Sequence, residues 1–198
     1  MNNKILNDLI KLFSKLPSLG PRSAKRIVLH LLNNKETLMA PLLSSMEEGY
    51  NTITRCQVCG NLTTEPICEI CSDITRNKDI ICVVENVADL WAIENTAIYK
   101  GQYHILGGNL SASEGRGPTD LNIESLLTKL KNNSNIKEVI IATNPTIEGQ
   151  TTAFYIADLL KEFNIKITKP AYGIPLGSEF NYLDESTLDI AFKNKKDF

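Results

Sequence analysis

Cys56-Gln57-Val58-Cys59 and Cys68-Glu69-Ile70-Cys71 are two CxxC knuckles eight residues apart, and their spacing decides how the middle of the chain can fold. A CxxC turn puts both sulfurs on one side. Two such turns facing each other offer four thiolates to one tetrahedral ion, the arrangement that structural Zn²⁺ prefers. Gly60, Asn61 and Pro66 between the knuckles are turn formers, which suits a short connecting loop. No His, Asp or Glu stands at ligand spacing as a substitute, and four sulfur ligands leave no coordination position open to water. One structural zinc per chain is therefore expected, a staple and not a catalytic metal. A pair of disulfides, an iron–sulfur site and redox-active thiols are the competing readings of the same residues.

Around that staple, 198 residues, 42% of them hydrophobic, suffice for one sizeable core and a small satellite. No apolar run approaches the roughly 20 residues of a transmembrane helix. Met1-Asn2-Asn3-Lys4 leads into an amphipathic pattern and not into an unbroken apolar signal core. A reducing cytoplasm is the expected compartment, and it keeps thiols available for metal. Cys82, inside Ile80-Ile81-Cys82-Val83-Val84, reads as a small buried core residue.

The net charge is only −2, but it is unevenly spread. Residues 1–35 carry seven Lys/Arg against one Asp, or +6, which leaves −8 for residues 36–198. A local basic patch can meet phosphate even on a mildly acidic protein. An ordinary solvated helix face is the alternative, and composition does not choose between the two.

Ile5, Leu6, Leu9, Ile10, Leu12 and Phe13 recur at three- and four-residue steps, which predicts an amphipathic helix over 4–15 with Lys11 and Lys15 on its wet side. Leu16-Pro17-Ser18-Leu19-Gly20-Pro21 breaks it. Pro21 stands where the first turn of a new helix tolerates proline. That second helix turns Ala24, Ile27, Val28, Leu31 and Leu32 inward and Arg22, Lys25 and Arg26 outward. Residues 10–31 resemble the helix-hairpin-helix motif, in which hairpin amides and the following helix N-terminus point at a DNA phosphate without reading bases. Ser18 departs from the motif, standing where it has its first hairpin glycine. A plain helical hairpin used for packing or self-association is the competing reading. Residues 36–48 form a third apolar-faced helix, with an irregular start imposed by Pro41. The small core of this first module needs the zinc knuckle or a neighbouring subunit to complete its burial.

After Cys71 the texture changes. Ile80 to Val84 is a β-branched apolar run, read as a strand buried on both faces and ended by Glu85. Helix 89–96, strand 103–106, helix 123–130, strand 138–142, helix 152–163 and strand 165–168 follow. Alternation of this kind implies a mainly parallel sheet with helices on both faces, whose ligand site lies at the strand carboxyl ends. Gly107-Gly108 and residues 115–118 mark a long surface or interface loop, since the Walker signature is absent.

Glu85 at the first strand end, and Asn144-Pro145-Thr146-Ile147-Glu148-Gly149 after the third strand, resemble a Toprim domain. That fold holds Mg²⁺ with a Glu at the first strand end and Asp-x-Asp-x-Glu-Gly at a later one. Here Asn144 and Thr146 stand at the two aspartate positions, so four candidate acids become two, Glu85 and Glu148. Magnesium favours charged oxygen ligands, so halving them cripples a catalytic site. Capping of strand ends and local hydrogen bonding is the other reading of the two glutamates.

The order of these modules, together with Tyr103-His104-Ile105-Leu106-Gly107-Gly108, Ala171-Tyr172-Gly173-Ile174-Pro175-Leu176-Gly177 and residues 182–188, resembles the bacterial RecR family of recombination mediators. The resemblance implies an α/β Toprim fold with an N-terminal all-α helix-hairpin-helix module and a small four-cysteine zinc finger. Module bounds of 1–53, 54–78 and 79–170 follow, with a tail at 171–198 that docks on a neighbouring subunit or on its own domain. It implies no enzymatic activity and a ring-like tetramer acting as a DNA clamp on gapped, single- and double-stranded DNA. RecO and RecF are the implied partners in loading RecA. Lys15, Arg22, Lys25 and Arg26 become DNA contacts, and Cys56, Cys59, Cys68 and Cys71 the zinc ligands. Glu85, Asn144, Thr146 and Glu148 become a degenerate acidic or partner-binding site. The family's Thr-Arg pair is Thr168-Lys169 here, followed by an added Pro170, and a Lys cannot offer Arg's planar fork. His30 and His104 read as packing residues, and Trp91 as core or interface filler. A Mg²⁺-dependent Toprim nuclease or topoisomerase, and a zinc-stapled assembly module without a nucleic-acid role, are the rival functions.

Overall fold

The strand Ile80–Val84 is the axis of the larger half of the molecule. A computed structural model describes residues 3–171, 173–175 and 177–194; Tyr172 and Leu176 of the tail motif lie outside the described residues. The chain divides into two compact units, one ending at Ile53 and the other beginning at Thr54.

The first unit is helical. Its helices are α1 (Lys4–Phe13), α2 (Pro21–Asn33) and α3 (Ala40–Thr52). The Asn3 side chain caps α1 by accepting from the Leu6 amide at 3.2 Å, and Pro21 opens α2 behind an extended Gly20. Between the two helices Ser18 has φ +62°, the left-handed conformation that a glycine takes without strain. The serine therefore keeps the hairpin's shape at a cost of about 1 kcal/mol. The irregular start expected of the third helix is a π-helical turn over residues 35–39, in which Met39 donates to the Asn34 carbonyl at 3.1 Å. Pro41 is the reason, because its ring and missing N–H disturb the ladder one turn back. Among the described residues of this unit only Ala24, Val28 and Leu31 are buried. His30, read as a packing residue, is exposed.

In the second unit a two-stranded antiparallel ribbon, β1 (Thr54–Arg55) and β2 (Leu62–Thr63), and the single turn α4 (Glu69–Ser72) frame the cysteines. Then come β3 (Ile80–Val84), α5 (Val87–Glu94), β4 (Gln102–Ile105), α6 (Ile123–Asn132), β5 (Glu138–Ile141), α7 (Ile147–Leu160), β6 (Lys166–Thr168) and α8 (Glu185–Lys193). The four strands pair in parallel in the order β4-β3-β5-β6. β3 alternates strictly between the two faces of the sheet. Ile81 and Val83 join the core under α6 and α7, while Cys82 and Val84 join Leu90, Tyr103, Ile105 and three of the cysteines on the other face. Helices and zinc module thus cover both faces of a Toprim-type sheet.

Two elements differ from expectation. α7 begins at Ile147, five residues before the predicted start, because the Thr146 hydroxyl accepts from the Gly149 amide at 3.1 Å and caps it. Glu148 therefore lies in the first turn of a helix, not in a loop. Trp91, read as core or interface filler, is 49% exposed and so not core, and its indole N–H donates to Asn61 Oδ1 at 3.1 Å. Behind α5, Arg76 forks onto Glu94 at 2.7 and 2.9 Å, tying the exit of the cysteine module to that helix.

Candidate functional site

Cys56, Cys59, Cys68 and Cys71 come together with all four sulfurs within 4.8 Å of one another. Four sulfurs held tetrahedrally about 2.3 Å from a zinc ion lie roughly 3.8 Å apart; Cys59 Sγ and Cys68 Sγ stand at 3.6 Å. The amides of Asn61 and Cys68 donate to Cys59 Sγ and Cys56 Sγ at 3.4 and 3.3 Å, bonds that favour thiolate over thiol. Gly60, at φ +83°, makes the tight return of the first knuckle, and a Cβ there would already press on Ile105. The neighbouring Cys71 thiol, and the Asn61 amide, draw the pKa of Cys59 down. Cys68 is pushed up to about 11, chiefly by burial, and Cys71 is pushed up by donating to Cys59. Zn²⁺ held by the four cysteines would favour the thiolate form of each. The donor set fits one closed structural Zn²⁺, and no disulfide joins the described cysteines. The knuckle also covers the open edge of β4, since the Ile105 amide donates to the Cys59 carbonyl at 2.9 Å.

At the carboxyl ends of the strands the arrangement is different. Glu85 is only 3% exposed. One of its oxygens accepts from the Asn144 amide at 2.7 Å and the other from Asn109 Nδ2 at 3.0 Å. The carboxylate joins β3, the loop after β4 and the segment before α7. Glu148 is exposed, Asn144 is half-buried, and Thr146 is the α7 cap. A further acid, outside the Toprim motif positions, stands close by. Asp89 lies beside Asn144, whose Nδ2 reaches its Oδ2 at 3.5 Å. Burial, and secondarily the charge of Glu85, raise the pKa of Asp89, while the Asn86 amide in the α5 capping box opposes them. Among the described residues no group of three or more potential ligands converges except the four cysteines. Gly149 closes this cluster, because a Cβ on it would fall 2.1 Å from the Asn144 carbonyl oxygen and 2.6 Å from Glu85 Oε1.

In the first unit Lys15, Arg22, Lys25 and Arg26 are all exposed. None of them takes part in an ion pair among the described residues. Arg22, Lys25 and Arg26, spaced three and four apart, share one face of the first turns of α2, where the unpaired amides of the helix N-terminus add to their positive potential.

Sequence reasoning missed Asp89, Asn109, Lys129 and Asn61. The capping spacing of Asn86 and Asp89 was the one local signal for any of them.

Family models match four consecutive stretches: the RecR helix-hairpin-helix at residues 6–49, the RecR four-cysteine zinc finger domain at 53–73, the Toprim domain at 79–171 and the RecR C-terminal region at 173–196. Recombination protein RecR of Neorickettsia sennetsu is 50% identical over 194 residues, covering 98% of each chain. The protein of that name from Rickettsia bellii is 50% identical over 197 residues, covering 100% of this chain and 98% of its own. The one from Beijerinckia indica is 47% identical over 190 residues, covering 96% and 94%.

Proposed function

Because the chain belongs to the RecR family of recombination proteins, we propose that it is a non-catalytic, DNA-binding mediator of recombinational repair. It works in the cytoplasm with RecO and RecF to load RecA on gapped or single-stranded DNA. The observation that carries DNA binding is the face of unpaired cations on α2, Arg22, Lys25 and Arg26, next to Lys15 of the hairpin. Contacts of that kind go to phosphates, so the binding is independent of sequence and sensitive to salt. The non-catalytic reading rests on Asn144 and Thr146 in place of aspartates, and on Glu85, which is buried with each carboxylate oxygen accepting a protein hydrogen bond. The ring-like tetramer is supported by Leu42, Leu43, Met46, Tyr50 and Ile53, which the first unit leaves exposed by itself.

The test is binding to gapped DNA over a range of salt, with and without a RecO-type protein. Replacing Arg22 and Arg26 together by alanine should weaken binding and lower the slope of log affinity against log salt by roughly 2. Unchanged affinity and slope would leave a zinc-stapled assembly module. Mg²⁺-dependent cleavage that disappears in Glu148→Ala would instead establish the nuclease reading.

A further inference from the structure

Lys129 stands out from the protein's other cations. It projects from the last turns of α6, half-buried, and forms no ion pair with a carboxylate among the described residues. Removing an ammonium from water without a counter-charge is costly. Its Nζ donates to the carbonyl of Val58 at 2.8 Å, 71 residues away in sequence and inside the first knuckle. It also lies 3.4 Å from His104 Nδ1.

The imidazole is set to receive it. His104 is 2% exposed and its Nε2 lies 2.9 Å from the Asn122 carbonyl. A carbonyl only accepts, so Nε2 carries the proton and Nδ1 presents a lone pair to Lys129. Burial and then the Lys129 charge lower the His104 pKa to about 4, which keeps the ring neutral near pH 7. The negative charges facing Lys129 are sulfurs. Burial pulls its pKa down, and the Cys71, Cys59 and Cys56 thiolates work against that pull. Four thiolates holding Zn²⁺ would carry a net charge of −2, and Lys129 is the cation that stands against the knuckle supplying two of them.

We infer that Lys129 is a positioning residue of the zinc site. Wedged between the Val58 carbonyl and the His104 ring, it offsets part of the thiolate charge and pins the first knuckle to α6 and β4. Zinc retention then depends on a residue of the Toprim domain, outside the finger that supplies the ligands. Second-layer partners of this kind typically change metal affinity about 10- to 100-fold.

Full-length zinc-loaded protein provides the test, with zinc transfer to a chelating dye followed over time. Lys129→Met keeps the aliphatic stem and removes the charge; it should release zinc at least about tenfold faster. Lys129→Arg keeps the charge and should stay within about threefold of the wild-type rate. Leu126→Ala, a fully buried site on the same helix, serves as a control for lost packing. Co²⁺ substitution adds a readout that packing alone does not move. Without the nearby cation the thiolate-to-cobalt charge-transfer band should shift to longer wavelength in Lys129→Met and stay in place in Lys129→Arg and Leu126→Ala, the visible tetrahedral bands being preserved. Wild-type release and band position in Lys129→Met would overturn the assignment. So would equal acceleration by Leu126→Ala with no band shift in Lys129→Met. If Lys129→Met does not fold, the arginine variant decides, because a shifted band with the charge retained would also overturn it.

Discussion

The four-cysteine cluster and the acidic strand end both place potential metal ligands at loops beside the same sheet, yet among the described residues only the cysteines bring three or more of them together. The four sulfurs converge within 4.8 Å, and the hydrogen bonds they receive are the weak N–H···S kind. A zinc ion meets lone pairs that are still available. Glu85 instead accepts two short N–H bonds, and Asp89 serves in the cap of α5. Those bonds compete with magnesium for the carboxylates, and Mg²⁺ gives up its own water reluctantly. What else engages a ligand's lone pairs thus bears on metal binding alongside the number of ligands.

The difference can be broken experimentally, most severely at the cysteines. Stripping zinc with a chelator, or Cys59→Ser, should cost on the order of 5 kcal/mol or more, because three of these cysteines are part of the core against Cys82, Val84 and Ile105. Thermal melting should then lose the transition of the second unit, and an unchanged melting temperature would show that the module stands without its ion.

Gly149→Ala probes the acidic end. Its Cβ would strike the backbone oxygen of Asn144 and the Glu85 carboxylate, so a loss of about 2–4 kcal/mol in denaturant melts is expected. A loss below about 0.5 kcal/mol, the range of an ordinary surface change, would mean that the cluster is looser than described.

The smallest effect belongs to Glu85→Gln. It keeps the shape but replaces one accepting oxygen by an NH2 group that faces a donor, so one of the two hydrogen bonds is lost, for a loss of about 1–2 kcal/mol. Millimolar Mg²⁺ should move the melting temperature of wild type and variant alike by less than about one degree. A Mg²⁺-dependent rise seen only in the wild type would make the acidic end a second metal site and remove the contrast.

Local signals account for what could be read in the chain. The CxxC spacing, the β-branched run ending at Glu85, the alternation of strand and helix, and the proline irregularity at Pro41 all act over a few residues. Their structural consequences sit close to where they were expected. The early start of α7 was hidden because Pro145 and Gly149 look like loop punctuation. Yet Pro145 precedes the cap, and Gly149 is needed for close approach, not for a turn.

By itself the sequence determined a closed thiolate site, a parallel sheet with a depleted acidic motif, and a basic helix behind a two-proline hairpin. Residue type and short-range spacing suffice for each. Only the tertiary structure decided that Glu85 accepts from Asn109 and Asn144, that Asn144 also reaches Asp89, that Trp91 reaches Asn61, and that Lys129 faces the knuckle. Those pairings link residues far apart in the chain, and burial sets their energetics, so no local pattern encodes them.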